Sequence, residues 1–185
     1  MVGEAAAREV AANQLPAHQV PAHQVPAHQV AGATPDPELP MLTVADLGIM
    51  RDVEVSAAGV TVTITPTYSG CPAMREISAD ISRRLEQAGY QHVTVKTELA
   101  PPWSSDWITA EGRRKLAAAG IAPPSAAPRR EGPVPLTLGA RPPAPACPQC
   151  RSPRTRRTAE FSATACKSLY RCDVCGEPFE GVKAL

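Results

Sequence analysis

Six cysteines are the side chains of this 185-residue chain best suited to chemistry, and they fall into two groups. Cys147-Pro148-Gln149-Cys150 and Cys172-Asp173-Val174-Cys175-Gly176 are two C-x2-C knuckles with 21 residues between them, close to the spacing of a four-cysteine zinc ribbon. Four thiolates form a soft tetrahedral set with no open position, so a metal there would hold a fold rather than act on a substrate. Zinc suits that set, and iron in a rubredoxin-like site uses the same ligands. In so short a segment, metal binding is much of the folding free energy. Cys166 is an additional thiol, expected on a strand leading into the second knuckle. Its neighbour Lys167 could lower its pKa, and the plainer reading is an ordinary ribbon residue.

The remaining thiol, Cys71, lies in Thr65-Pro66-Thr67-Tyr68-Ser69-Gly70-Cys71-Pro72. Before this stretch, Val60, Val62 and Ile64 alternate with threonines, the period of a half-buried strand of β-branched residues. After it, Met74, Ile77, Ile81, Leu85 and Ala88 form one apolar stripe on a helix that Gly89 can close. Pro72 fits the first helical position, which places Cys71 at the N-cap, facing unpaired amides that favour a thiolate. Such a thiolate can be a nucleophile, a metal ligand or a carrier of a metal or sulfur species; the plain alternative is a small buried core residue.

The elements that must position these thiols follow in order. Residues 4–14 are alanine-rich and suit a short helix. Pro16-Ala17-His18-Gln19-Val20 is then repeated at 21–25 and 26–30, and a proline every fifth residue is expected to prevent regular helix, leaving a disordered spacer. Thr43 can cap a helical turn ending at Gly48. Residues 51–56 and 60–65 form a hairpin through Gly59, and Val93, Val95, Thr97 and Leu99 form a third strand. Trp103 and Trp107 flank a turn and are expected to pack, and Thr109 caps a helix closed by Gly120.

Eight of the 26 residues from 121 to 146 are proline, as in a stiff linker. The expected fold is therefore α+β: an N-terminal extension (1–33), a small three-stranded sheet with helices (34–120), a proline-rich linker (121–146) and a four-cysteine zinc ribbon (147–185).

With 19 basic against 18 acidic residues, the chain has no global charge bias toward nucleic acid or membrane. The segment from Arg141 to Leu185 holds eight basic and four acidic residues without a dense run or interleaved aromatics, so a nucleic-acid-binding ribbon ranks last among the readings. No apolar run long enough to span a membrane and no secretory signal are seen, so a cytoplasmic protein is expected, in which paired cysteines mean metal rather than disulfides.

Five stretches, DPELPMLTVADLGI (36–49), TPTYSGCPAM (65–74), PPWSSDWIT (101–109), CPQC (147–150) and ATACKSLYRCDVC (163–175), resemble the small D/J-type subunit of the bacterial phenylacetyl-CoA ring-epoxidising complex. The first domain looks like the metal-sulfur cluster assembly domain of SufT-like factors, whose cysteine falls on Cys71. The resemblance implies an accessory subunit with no catalytic residue of its own, in phenylacetate degradation. It would handle transient iron or iron-sulfur species through Cys71 and meet the oxygenase and reductase subunits. The rival reading is a scaffold holding those subunits together through the ribbon and the Trp103–Trp107 surface. This chain departs from the pattern in its inserted repeats, in Arg75, and in a tail, Gly181 to Leu185, where relatives often carry another cysteine.

Overall fold

The computed structural model describes residues 25–68, 70–127 and 144–185. The hairpin is β1 (Met50–Ser56) and β2 (Gly59–Ile64), antiparallel, with Ser56 opposite Gly59. From β2 the chain passes through the Cys71 turn into α2 (Ala73–Gln87) and returns as β3 (Val93–Thr97), parallel to β2 with Val60 opposite Val93. The order β1-β2-β3 puts β2 in the centre, where Val60, Val62 and Ile64 are all buried. They face Ile77, Ile81 and Leu85 of α2, each of which adds about 1.5–3 kcal/mol through burial. Gly89, at φ 90°, ends α2 in the left-handed conformation that a side chain disfavours.

Two expectations about the flanks are corrected. The third repeat is not a spacer: Ala27–Gly32 forms helix α1, with Ala27 and Ala31 buried and the Tyr90 hydroxyl donating to the Val25 carbonyl. Pro26 stands just before the helix, where its missing N–H costs nothing, and Ala31-Gly32 replaces the proline that would open a fourth copy. The first two copies, apart from Val25, and the helix expected at residues 4–14 lie outside the described residues. The linker is also shorter than its prolines suggest. Ala122 donates to the Glu180 carbonyl and accepts from Val182 N–H, forming a parallel bridge along the ribbon's last strand.

The ribbon is β4 (Thr155–Ala159), β5 (Lys167–Cys172) and β6 (Pro178–Val182), antiparallel in that order. Its small core is Ala122, Cys147, Cys172 and Phe179, with Tyr170 stacked on Phe179 at 5.5 Å. The ribbon packs on the first domain. Val182 belongs to the larger core, and the Leu185 carbonyl accepts hydrogen bonds from Ser105 N–H (3.0 Å) and from the Ser104 and Ser105 hydroxyls.

The Ser105 segment is a single 3-10 turn (Ser105–Trp107) between β3 and α3 (Ala110–Ala118), which Thr109 caps through Gly112 N–H. Both tryptophans pack as expected. Trp103 is buried with its indole N–H on the Leu47 carbonyl, and the Arg51 guanidinium lies 4.0 Å from the Trp107 ring centre. Gly48, at φ 66°, fits this junction because a Cβ would collide with the Trp107 carbonyl and lie 2.7 Å from its Cβ. Gly48→Ala is therefore expected to lower unfolding free energy by at least about 1–3 kcal/mol, read from the urea midpoint, whereas a freely exposed glycine would tolerate the change.

Candidate functional site

The strand–turn–helix unit delivers Cys71 as expected. Pro72 is already helical (φ −67°, ψ −27°), the Cys71 carbonyl accepts from Met74 N–H, and the Ala73 N–H points at the Cys71 sulfur. Cys71 is half-buried in an open cleft walled by Leu39, Leu47, Ile49, Met74, Ile77 and Trp103. The cleft also holds Asp36 and Glu38 from the loop before β1, and Cys166 from the ribbon. Asp36 is fixed by accepting the N–H groups of Glu38 and Leu39, each at 2.8 Å, which presents Glu38 toward the ribbon. There the Cys166 thiol donates to Glu38 Oε2 at 3.9 Å and meets Thr164 Oγ1 at 3.1 Å. Cys166 stands one residue before β5, and its carbonyl accepts from Lys183 N–H, extending the β5–β6 ladder to the cleft edge.

The electrostatics reverse the expectation of a ready thiolate. Burial pushes the Cys71 thiol up against the pull of the Ala73 N–H, and Glu38, Asp36 and Cys166 push it further. Cys166 is raised too, first by burial and then by Glu38, outweighing Thr164 and Lys167. The lysine expected to activate it is engaged elsewhere, its ammonium 2.7 Å from Glu180. Burial also raises Asp36 and Glu38, and it carries Tyr68, whose hydroxyl approaches the Cys71 sulfur, to about 12. Uncharged, protonated thiols are the resting state of this cleft near neutrality.

The second site is the four-cysteine set. Cys147 and Cys172 are buried and Cys150 and Cys175 exposed, with Cys147–Cys175 sulfurs 3.7 Å apart, Cys150–Cys172 3.5 Å apart and all four within 4.8 Å. The edge of a tetrahedron built on metal–sulfur bonds of about 2.3 Å is about 3.8 Å, so these sulfurs fit a tetrahedral ion. Backbone N–H groups of Cys175 and Val174 point at Cys172 and lower its pKa to about 6.

Sequence reading singled out neither Asp36, Glu38 nor Tyr68 as a site residue. The signal available was an acid pair around a proline, Asp36-Pro37-Glu38, and a tyrosine three residues before the cysteine.

An α+β domain that offers one thiol at a strand–helix turn, closed by a four-cysteine ribbon carrying a second, defines a two-part protein with one cysteine set arranged for a metal. Residues 33–96 match the family model described as an iron-sulfur cluster assembly protein, and residues 131–183 match that of the PaaD zinc beta ribbon domain. The chain is 40% identical over 151 residues to an Escherichia coli (strain K12) protein named for the D subunit of 1,2-phenylacetyl-CoA epoxidase, covering 82% of this chain and 87% of that one. It belongs to that PaaD family of epoxidase D subunits.

Over 83 residues it is 37% identical to an Fe-S protein maturation auxiliary factor of Porphyromonas gingivalis (strain ATCC BAA-308 / W83), covering 44% of this chain and 78% of that protein. A crystal structure of a DUF59 domain from Bacillus anthracis aligns with a TM-score of 0.46 at 26% identity, over 49% of this chain and 87% of that one. Among the described residues, no helix is long and apolar enough to cross a membrane.

Three outcomes are expected. Alkylation of Cys71 by iodoacetamide, followed by mass spectrometry, should show a pH midpoint above the free-thiol value of about 8.5. Glu38→Gln should lower that midpoint, since the Glu38 carboxylate is one of the charges opposing the thiolate. A strong chelator should abolish the ribbon's near-ultraviolet circular dichroism while the first domain keeps its helical signal, because the ribbon's own core comprises so few residues.

Proposed function

We propose that this chain is an accessory subunit of phenylacetyl-CoA ring-1,2-epoxidase that matures the iron-sulfur or di-iron centres of its oxygenase and reductase partners through Cys71. The observation that carries this reading is the position of Cys71 at an open cleft, beside a carboxylate and a second thiol, where the lining Lys183 pairs with Glu160 and, among the described residues, no basic side chain forms an ion pair with Glu38. A permanent ligand is better served by a thiolate held ready, as Cys172 is in the ribbon. A thiol that rests protonated binds a metal species only while it gives up its proton, and it reclaims the proton on release. Such reversibility suits a carrier. The iron-sulfur assembly family match over residues 33–96 and the maturation factor among the relatives support the same reading.

The ribbon's ion is taken to be zinc, which the family description names and the tetrahedral sulfur set suits, and its role is structural. Turnover of phenylacetyl-CoA is assigned to the partners. Cysteines arranged as a metal set rather than as disulfides point to a reducing compartment, in keeping with a cytoplasmic protein. The scaffold reading rests on the ribbon and on the Trp103–Trp107 surface. Trp103 is buried and Trp107 lies under Arg51, which leaves the second of these little to offer. A nucleic-acid role is weakened by pairing of basic ribbon residues with acids, Arg156 with Asp173 and Arg157 with Glu160.

The test is to co-produce the oxygenase and reductase with wild-type chain or with Cys71→Ser, and to measure their iron, acid-labile sulfide and epoxidising activity. Under-metallated, inactive partners with the serine variant are expected. Fully loaded partners would exclude maturation through Cys71 and leave the scaffold.

A further inference from the structure

We propose that Cys71, Cys166 and Glu38 form a single exchangeable site for a thiophilic divalent ion, with one thiol supplied by each domain and the carboxylate between them. The inference rests on the maturation reading only for the identity of the cargo, ferrous iron. The site itself stands on two observations. First, three ligand-type side chains from three separate segments meet in one cleft, Cys166 and Glu38 across 128 positions of sequence and in contact at 3.9 Å. A ribbon acting only as a metal-stabilised appendage has no need to place a thiol there. Second, the cleft is built for a cation it does not itself supply. Asp36, Glu38 and Cys166 each oppose ionisation of Cys71, and both carboxylates oppose that of Cys166. The basic groups at hand are otherwise engaged: Lys167 pairs with Glu180, and the Lys183 ammonium sits 3.9 Å over the Phe161 ring and 3.8 Å from Glu160.

Two thiolates and one carboxylate are a mixed soft and hard donor set suited to a borderline divalent ion, with room for a further ligand from a partner. Among the described residues only the ribbon's four sulfurs already lie within 4.8 Å of one another. The cleft groups are set wider and close on an ion by side-chain rotation, which makes the site weak and exchangeable beside the ribbon's closed one. Binding is not a redox step. Each thiol loses one proton to solvent as its sulfur–metal bond forms, two protons per ion, and both thiols are reprotonated when the ion leaves for the ligands of a partner.

The experiment uses the full chain with its ribbon metal in place, titrated anaerobically with cobalt(II) while thiolate-to-cobalt charge-transfer absorption and proton release are followed. Wild-type protein is expected to take one cobalt beyond the ribbon ion and to release two protons. Cys71→Ser and Cys166→Ser should each lower charge-transfer intensity by roughly half and weaken binding at least about tenfold. Glu38→Gln should weaken binding to a similar extent with the absorption retained. Loss of even an outer-sphere partner can have an effect of that size. Ribbon metal content in every variant checks folding, and alkylation mapping on wild-type protein needs no variant: cobalt should protect Cys71 and Cys166 together.

Protection of Cys71 alone, wild-type cobalt binding by Cys166→Ser, or no uptake beyond the ribbon ion would overturn the site. Partner maturation separates the two claims. If Cys71→Ser fails to load partners while Cys166→Ser both binds cobalt and loads partners normally, the shared site falls and maturation through Cys71 stands. If cobalt needs both thiols but Cys71→Ser loads partners fully, the site stands and maturation falls.

Discussion

The packing of the ribbon's last strand and the residues after it against the first domain is the constraint on which the site depends. Val182 joins the main core, Ala122 pairs alongside Gly181, and the Leu185 backbone bonds to Ser105. These contacts fix the ladder that carries Cys166 to the cleft edge, since Lys183 N–H holds the Cys166 carbonyl. Without them Cys71 would face solvent on one side and the ribbon would be a separate bead. The four-cysteine set therefore acts at a distance. By folding a segment with few apolar residues it holds up one wall of a cleft whose other wall is the core of the first domain.

Cys172 and Cys71 illustrate how the same functional group is tuned in opposite directions. In the ribbon, backbone N–H groups turned on Cys172 favour the thiolate that a permanent metal needs. In the cleft a single N–H, that of Ala73, acts against burial and two carboxylates, and the thiol stays protonated. Local helix geometry alone points to an activated Cys71. The tertiary surroundings, brought in by residues 36–38 and 166, decide the sign.

Much of the framework was readable from sequence because it is locally encoded. The alternation at Val60, Val62 and Ile64, the stripe through Ile77, Ile81 and Leu85, and the glycine stop at Gly89 each carry their own period or backbone requirement, and all took the expected form. The paired knuckles likewise announced a metal set by spacing alone. What could not be read was non-local. Nothing in ATACKSLY says that Cys166 will meet Glu38, because that contact is made by docking two domains. The pairing of Ala122 with β6 was hidden in a proline-rich stretch, and the helix of the third repeat depends on the Ala31-Gly32 pair after it and on the core it docks against.

The central claim is that the cleft carries iron from this chain to a partner. Its most direct test is anaerobic: protein loaded with isotopically labelled ferrous iron is mixed with iron-free oxygenase in the presence of a ferrous chelator, and the label in the separated oxygenase is counted with time. The account predicts that label reaches the oxygenase from wild-type chain and not from Cys71→Ser, because the chelator captures any ion that is not handed over directly. Equal loading from both proteins, or none from either, would contradict it.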